Sequence, residues 1–365
     1  MILKSIGLFL GRILLGCNGV VAILMLLCAF SPYINPTSFP ILSSTGLAFP
    51  IFLLLNILFL FFWIFFYRRY ALLPLATMII CFGQIRTYIP INLSMTQIPD
   101  DAIKVLSYNI MHFDGHKPHS KKSPNEIVQY LQKVNADIVC LQEANFNNSD
   151  SKKFLSQSVF RKAMAEYPYF NQYAAKGNGW ICLSRYPILS AQMIDYESTG
   201  NGSMAYELKV GADTLLLINN HLESNKLTLD DRAAYREMIV NPQEEALKST
   251  SKRLIGKVVE ATSIRAVQAD KIAQYIRESG HKHVVVCGDF NDSPLSYTHR
   301  IIGEGMNDAF VESGNGLGIS YHRNGFYFRI DHILASDNFE LYNCKIDNSI
   351  KASDHYPIWC YIRKK

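Results

Sequence analysis

The first 99 residues contain no aspartate and no glutamate, and only five basic residues: Lys4, Arg12, Arg68, Arg69 and Arg86. So little charge excludes an ordinary solvated domain at the front of the chain. The other 266 residues carry 31 basic and 31 acidic side chains, so the net charge of +5 belongs to the front third. A balance of zero excludes a larger part that holds nucleic acid by bulk positive charge. The eight cysteines include no C-x-x-C pair, so neither a disulfide framework nor a cysteine metal site is visible. None of Ser107, Ser184 and Ser353 has the G-x-S-x-G context of an elbow-type serine nucleophile.

What the front third has instead is apolar length. Residues 6–30 are apolar except for Arg12 and Asn18, and at about 1.5 Å per residue they cover a bilayer core of about 30 Å. Residues 46–67 form a second such run, with aromatic rings crowding its far end, and residues 71–91 a third, weakened by Gln84 and Arg86. Residues 1–92 therefore read as a transmembrane region of about three helices, although two spans, or a re-entrant third, also fit. The first run is too long for a cleaved signal peptide. Lys4, Arg12, Arg68 and Arg69 bracket the first two spans at one side, while the loop between them has no charge. With three spans, the positive-inside rule places everything after residue 92 outside the cytoplasm, as on a bacterial-type inner membrane.

Residues 93–101 read as a polar linker, and residues 102–365 as one domain in which short apolar runs alternate with helical stretches. Strands are expected at 104–108, 137–142, 180–184, 204–210, 214–219, 284–288, 329–334 and 357–362. Runs such as LLLIN and VVVCG are apolar on both faces, as in sheets covered by other layers. Ser123-Pro124-Asn125-Glu126 reads as a capping box with Pro124 at the first helical position. Residues 225–262 form a polar insertion of two helices, the second opening near Asn241-Pro242. It suits a substrate-facing lobe or a surface decoration equally well. His112, His116 and His119 lie in a Gly/Pro-containing stretch without cysteines, which favours solvated loop histidines over a zinc site.

Polar residues stand at the carboxyl ends of several apolar runs, where α/β proteins place their sites. They are Asn109 in LSYN, Glu143 in VCLQE, His221 in INNH, Asp289 and Asn291 in VVVCGDFN, Asp331 in FRID, and the pair Asp354-His355 in ASDHYP. Singly, such residues are more often turn formers than ligands. As an ordered set they resemble the endonuclease/exonuclease/phosphatase superfamily over roughly residues 103–362. SRYPI (184–188) and Arg265-Ala266-x-Gln268-Ala269 resemble recurrent segments of that family.

The resemblance implies an α/β fold, the DNase-I-like four-layer sandwich of two packed sheets with outer helices, here preceded by transmembrane α-helices. It also implies a metal-dependent hydrolase acting on phosphoester bonds. Hard cations prefer carboxylate and amide oxygen, so Asn109 and Glu143 would face Mg²⁺, or Mn²⁺, with Asp354 completing a second position. His355, oriented by Asp331, would activate water. Asp289 and Asn291 would position that water and a non-bridging oxygen, and His221 would donate to the developing negative charge. The substrate stays open. Tethering favours a lipid or envelope phosphoester. Basic patches at Lys152, Lys153, Arg161 and Lys162, and at Lys248, Lys252, Arg253 and Lys257, leave room for a tethered nuclease acting on DNA or RNA. A silent, membrane-anchored binding protein is the alternative of another class. No sequence feature points to a protein partner.

Overall fold

Side chains along the central strands alternate between two apolar environments, and this alternation sets the layers. The structure, a computed structural model, describes residues 2–120, 123–146, 154–175, 177–241, 244–323 and 325–365. In chain order the strands are β1 (Ile103–Asn109), β2 (Ile138–Gln142), β3 (Tyr169–Ala175), β4 (Asn178–Ser184) and β5 (Ile188–Met193). There follow β6 (Gly202–Val210), β7 (Asp213–His221), β8 (His283–Asp289), β9 (Met306–Asp308) and β10 (Tyr321–Arg323). The last are β11 (Phe326–Phe328), β12 (Asp331–Ser336), β13 (Phe339–Ile346) and β14 (Ile358–Lys364).

Two six-stranded mixed sheets result, in the orders β13-β14-β1-β2-β4-β3 and β5-β6-β7-β8-β12-β9, with β10 and β11 as a separate hairpin. Val105, Ile138, Cys140 and Cys182 of the first sheet meet Leu217, Val285, Cys287 and Ile333 of the second in one core. The alternate residues point outward. Leu106 and Val139 pack with the helices Glu126–Val134 and Gln157–Ala163, while Val284, Val286 and Leu216 pack under Ala269 and Ile272 of the helix Glu244–Ser279. This is the four-layer sandwich of the DNase-I-like fold, and it explains why LLLIN and VVVCG are apolar throughout. All eight cysteines are free, and the five in this part are buried as small hydrophobes.

Two local expectations need correcting. Ser123 does not cap its helix: the cap is Asn125, whose Oδ1 accepts from the backbone N–H groups of Ile127 and Val128 at 3.1 and 3.2 Å. Asparagine is at least as good an N-cap as serine, and starting there turns Ile127, Val128 and Leu131 into the core. The third apolar run is not one helix over 71–91. Helical segments Arg68–Ile80 and Phe82–Tyr88 meet at a 65° bend, and beyond it Arg86 pairs with Glu312 of the sandwich at 3.0 Å. The stretch from Asn92 to Met95 is tied to the sandwich: the Asn92 side chain donates to the Val311 and Gly314 carbonyls, and Met95 N–H to Asn343.

Two helical stretches, Phe9–Tyr33 and Pro40–Phe66, are long and apolar enough to cross a membrane, or three if the bent pair counts as one. They pair antiparallel through buried polar contacts. Trp63 Nε1 donates to Asn18 at 2.9 Å, and Asn56 Nδ2 approaches Met25 Sδ at 3.2 Å. Asn18 and Asn56 are fully buried, as expected of polar groups that face a partner helix rather than lipid.

The insertion forms the helix Leu229–Val240 and the first half of the 36-residue helix Glu244–Ser279; Pro242, where the second helix was expected to open, lies outside the described residues. Asp231 holds the two helices together, accepting from Lys257 Nζ at 2.5 Å, Arg253 Nε at 3.0 Å and Thr228 N–H at 2.9 Å. The Lys257 hydrogen bond, followed by that of Thr228, pulls its carboxyl down to about 2. A depressed folded pKa means that this stabilisation is complete above the ordinary aspartate value and fades as pH falls from about 4 through about 2. Asp231→Asn should therefore speed amide hydrogen exchange in the helix Leu229–Val240 at neutral pH while leaving exchange in β7 and β8 unchanged. Unchanged exchange in that helix would show that other contacts hold it.

Candidate active site

The parallel pairs β1–β2 and β7–β8 end side by side, so residues far apart in sequence leave the sheets at one edge. Asn109 closes β1, Glu143 follows β2, His221 closes β7 and Asp289 closes β8. Asp331 opens antiparallel β12 directly opposite Asp289. The two sheets are also bridged beneath the site by polar side chains. Gln142 Nε2 donates to Asn219 Oδ1 at 2.6 Å and to Ser107 Oγ at 3.0 Å, which fixes the spacing between the strand ends. Gly288 is required by close approach as well as conformation. Its φ is 129°, and a Cβ there would lie 2.1 Å from the Asn220 carbonyl oxygen. Glu143 and Asn291 turn out of their strands at positive φ, 51° each.

Asp289 Oδ2 is the hub of the arrangement. Asn109 Nδ2 donates to it at 3.1 Å and to Glu143 Oε1 also at 3.1 Å. His221 Nε2 stands 3.7 Å from both of those carboxylates, and His355 Nε2 is 3.6 Å from Asp289 Oδ2. On its other side, His355 Nδ1 is 2.8 Å from Asp331 Oδ2. Asp289, Asp331, His221 and His355 are all buried, whereas the Glu143 side chain is 26% exposed at the mouth. Asn291 gives its N–H to Asp289 Oδ1 at 2.8 Å and its Nδ2–H to the Leu222 carbonyl at 2.9 Å, so it braces the hub from below.

Electrostatics follow from this packing. Burial is the largest influence on His355 and would lower its pKa, but the charges of Asp331, Asp289 and Asp354 outweigh it and push the imidazole up to about 10. Asp289 is pushed up to about 6, first by burial and then by the Asp331 charge, against the lowering effect of the two histidines. His221 is oriented differently. Asn178 Nδ2 donates to its Nδ1 at 2.9 Å while also donating to the Gly200 carbonyl, so the proton of the imidazole sits on Nε2, facing the carboxylates.

The structure brings together Asn109, Glu143, His221, Asp289, Asn291, Asp331 and His355. Asp354, expected at a second metal position, lies on the rim of the same cleft with its carboxylate paired to Arg323 at 3.1 Å. The histidine stretch needs correcting. His112 is not merely solvated: its Nε2 lies 3.7 Å from Glu143 Oε2, and its ring stacks on His116. Sequence reasoning missed Asn178, which orients His221, and Ser320, whose Oγ accepts from the N–H groups of Ile330 and Asp331. Neither residue carries a local motif. Arg265 and Gln268 turn out to brace the loop after His221, through the Glu223 carbonyl, Asp292 and the Glu223 N–H. Lys152 and Lys153 lie outside the described residues.

The donor set suits a hard divalent cation: two carboxylate oxygens, from Glu143 and Asp289, converge on the positive edge of one amide, that of Asn109. Asp289, Asp331 and His355 form a second close group of potential ligands.

A model of the Endonuclease/Exonuclease/phosphatase family matches residues 106–355, and a Domain of unknown function (DUF8431) matches residues 11–88. Among solved structures, a D. rerio TDP2 humanized by 14 mutations is similar at 16% identity and a TM-score of 0.50, over 73% of this chain and 100% of that one. An endonuclease/exonuclease/phosphatase from Beutenbergia cavernae is similar at 14% identity and a TM-score of 0.47, over 72% of each chain. ANGEL2, a 2',3'-cyclic phosphatase, is similar at 13% identity and a TM-score of 0.47, over 72% of this chain and 96% of that one. No curated protein matches the chain. At such identities the likeness to the D. rerio structure is one of fold.

Proposed function

Because the chain belongs to the endonuclease/exonuclease/phosphatase family, whose members are divalent-metal-dependent phosphoester hydrolases, we propose that it is a membrane-anchored enzyme of this kind. The observation that supports the role assignments is the convergence of Asn109, His221 and His355 on Asp289 from separate strand ends.

Glu143 and Asn109, with Asp289 beside them, would hold Mg²⁺ or Mn²⁺; Asn109 does so when its amide oxygen, now accepting from Met111 N–H at 3.2 Å, is the atom presented. The bound cation supplies compensation for the negative oxygens of the phosphoester. His355 takes the proton of the attacking water at Nε2, and Asp331 holds Nδ1 and stabilises the resulting imidazolium. Asp289 and Asn291 orient that water and a non-bridging oxygen. His221 donates from Nε2 to the charge that develops on phosphorus oxygens, its tautomer set by Asn178.

Such an anchor would hold the cleft at a bilayer surface. Gly11 packs beside Tyr67 at the end of the helix pair remote from the sandwich, and Arg68 and Arg69 follow Tyr67 there. The uncharged turn of residues 31–48 and the end of the third helical segment both contact the sandwich: Arg300 Nε donates to the Pro32 carbonyl at 2.8 Å, and Arg329 to that of Thr87. The chain thus returns from Tyr67 to the sandwich end, which fits three crossings, a cytoplasmic end marked by Arg68 and Arg69, and an extracytoplasmic hydrolase. The substrate is a lipid or envelope phosphoester.

Full-length protein in detergent should hydrolyse bis-p-nitrophenyl phosphate with Mg²⁺ or Mn²⁺ and stop when EDTA is added. Turnover that survives EDTA would overturn the metal-dependent mechanism.

A further inference from the structure

Leu47 and Arg232 line the cleft without a part in the hydrolytic machinery, and both come from segments outside the two sheets. Leu47 belongs to the turn Ser44–Ala48 between the two long apolar helices, and Arg232 to the helix Leu229–Val240 of the insertion. Both line the same cleft of about 280 Å³ as Glu143, Asp289 and His355.

Leu47 is held there by a tight joint. A Cβ on neighbouring Gly46 would lie 2.2 Å from the Leu295 carbonyl oxygen and 2.7 Å from Ser31 Oγ, so no larger residue fits between turn and sandwich. Leu295, four residues beyond Asn291, is itself buried among Met25, Cys28, Phe49 and Leu53 of the apolar helices. Ser263 Oγ donates to the Pro36 carbonyl at 3.3 Å on the other side of the turn. The loop that carries Asp289 and Asn291 and the turn between the apolar helices are therefore packed as one unit. Leu47 stays 36% exposed, facing the cleft it lines.

Arg232 differs from the other cations of the cleft. Lys226 is neutralised by Glu223 at 2.7 Å and Arg265 by Asp292 at 3.1 Å. Arg232 has no carboxylate partner among the described residues; its Nε is buried without a hydrogen-bond partner, and its guanidinium lies 5.9 Å over the Tyr321 ring. That ring in turn packs edge-on to His355 at 5.1 Å. A half-buried, unpaired guanidinium is costly unless an anion meets it, and a phosphoryl oxygen is the natural acceptor for its fork of donors.

Binding of a nucleic-acid strand would call for several free cations in line with stacking rings. Among the described residues that line this cleft, Arg232 is the one cation without a carboxylate partner. It shares the lining with Leu47, Leu227, Val258 and Ile330 as well as the rings of Tyr321, Phe326 and Phe328, so a row of free cations along a strand is missing even though rings are present. We propose that Arg232 and Leu47 determine specificity, Arg232 taking a non-reacting oxygen of the phosphoester and Leu47 packing on the first methylenes of an aliphatic chain. The substrate is then a membrane lipid phosphoester, presented from the bilayer in which the apolar helices sit. This inference rests on the hydrolase and anchor reading above.

The test compares two synthetic diesters with the same leaving group, p-nitrophenyl methyl phosphate and p-nitrophenyl hexadecyl phosphate, with full-length protein in nanodiscs. Wild type should favour the hexadecyl ester at least about tenfold in kcat/KM, the discrimination a few buried methylenes give. Leu47→Asp should erase that preference, read as the ratio of kcat/KM for the two esters within the variant, and Leu47→Ala should reduce it partway. Arg232→Ala should raise KM for both esters about tenfold with kcat nearly unchanged, and Arg232→Lys should recover only part of the loss. An equal rate on both esters, a preference untouched by Leu47→Asp, or faster cleavage of oligothymidylate than of the hexadecyl ester would overturn the proposal while leaving the hydrolase intact. Failure to cleave even the methyl ester would instead count against the hydrolase reading itself.

Discussion

Replacing His355 with alanine is expected to lower phosphodiester turnover by about 10²–10⁴-fold, the usual contribution of a positioned general base. Asp331→Asn should cost a similar factor. Asp331 Oδ2 is 2.8 Å from His355 Nδ1, and an amide in its place can present a donor to that nitrogen and so hold the wrong tautomer. The double variant should be little worse than either single one, because the two side chains act as a unit. His355 also separates two carboxylates that face each other across β8 and β12, Asp289 and Asp331. Its removal therefore brings a loss of stability as well, since like charges are left unscreened in a buried place. His355→Gln, which keeps a polar group between them, distinguishes the two effects: it should regain much of the lost thermal stability and almost none of the turnover. Wild-type turnover in His355→Gln would remove the imidazole from the mechanism.

Much of the candidate site was legible because several of its residues end or open a buried strand, and apolar runs closed by a single polar residue stand out in sequence. Asn109, His221 and Asp289 are of this kind. The central strands were legible for the same reason. Edge strands were not: β3 and β5 are half-exposed and mixed in composition, and β13 bends at a register shift between Tyr342 and Lys345, so no run of apolar residues announces them. Asn178 and Ser320 were invisible because they act through hydrogen bonds to residues outside their own local segment. The ion pair of Asp354 was hidden for a related reason: its partner, Arg323, sits in a hairpin with no sequence signal. The contact between the turn at Gly46 and the loop at Leu295 joins segments some 250 residues apart, and a local pattern carries no trace of it.

Cation binding should release protons, and this linkage checks the electrostatics of the site independently of turnover. In the cation-free protein, His355 keeps its proton up to about pH 10, because Asp331, Asp289 and Asp354 together outweigh its burial. A raised folded pKa contributes stability that is complete below the unfolded histidine value of about 6.5 and is lost as pH rises through about 10. A divalent cation held, as proposed, by Glu143, Asn109 and Asp289 would compensate the same negative charge that retains this proton, so cation and proton would compete. Isothermal titration of Mg²⁺ or Mn²⁺ into the EDTA-treated, dialysed protein at pH 8, in buffers of different ionisation enthalpy, should show release of about one proton per cation. Glu143→Gln should weaken that binding at least about tenfold, because it removes a charged oxygen donor from the mouth of the site while leaving the buried His355–Asp331 pair in place. His355→Gln should bind the cation with far less proton release, since the group that gives up the proton is gone. Binding with no proton release in the wild type would mean that the cation sits away from Asp289, and that the convergence of Asn109, His221 and His355 on that carboxylate serves the fold rather than the metal.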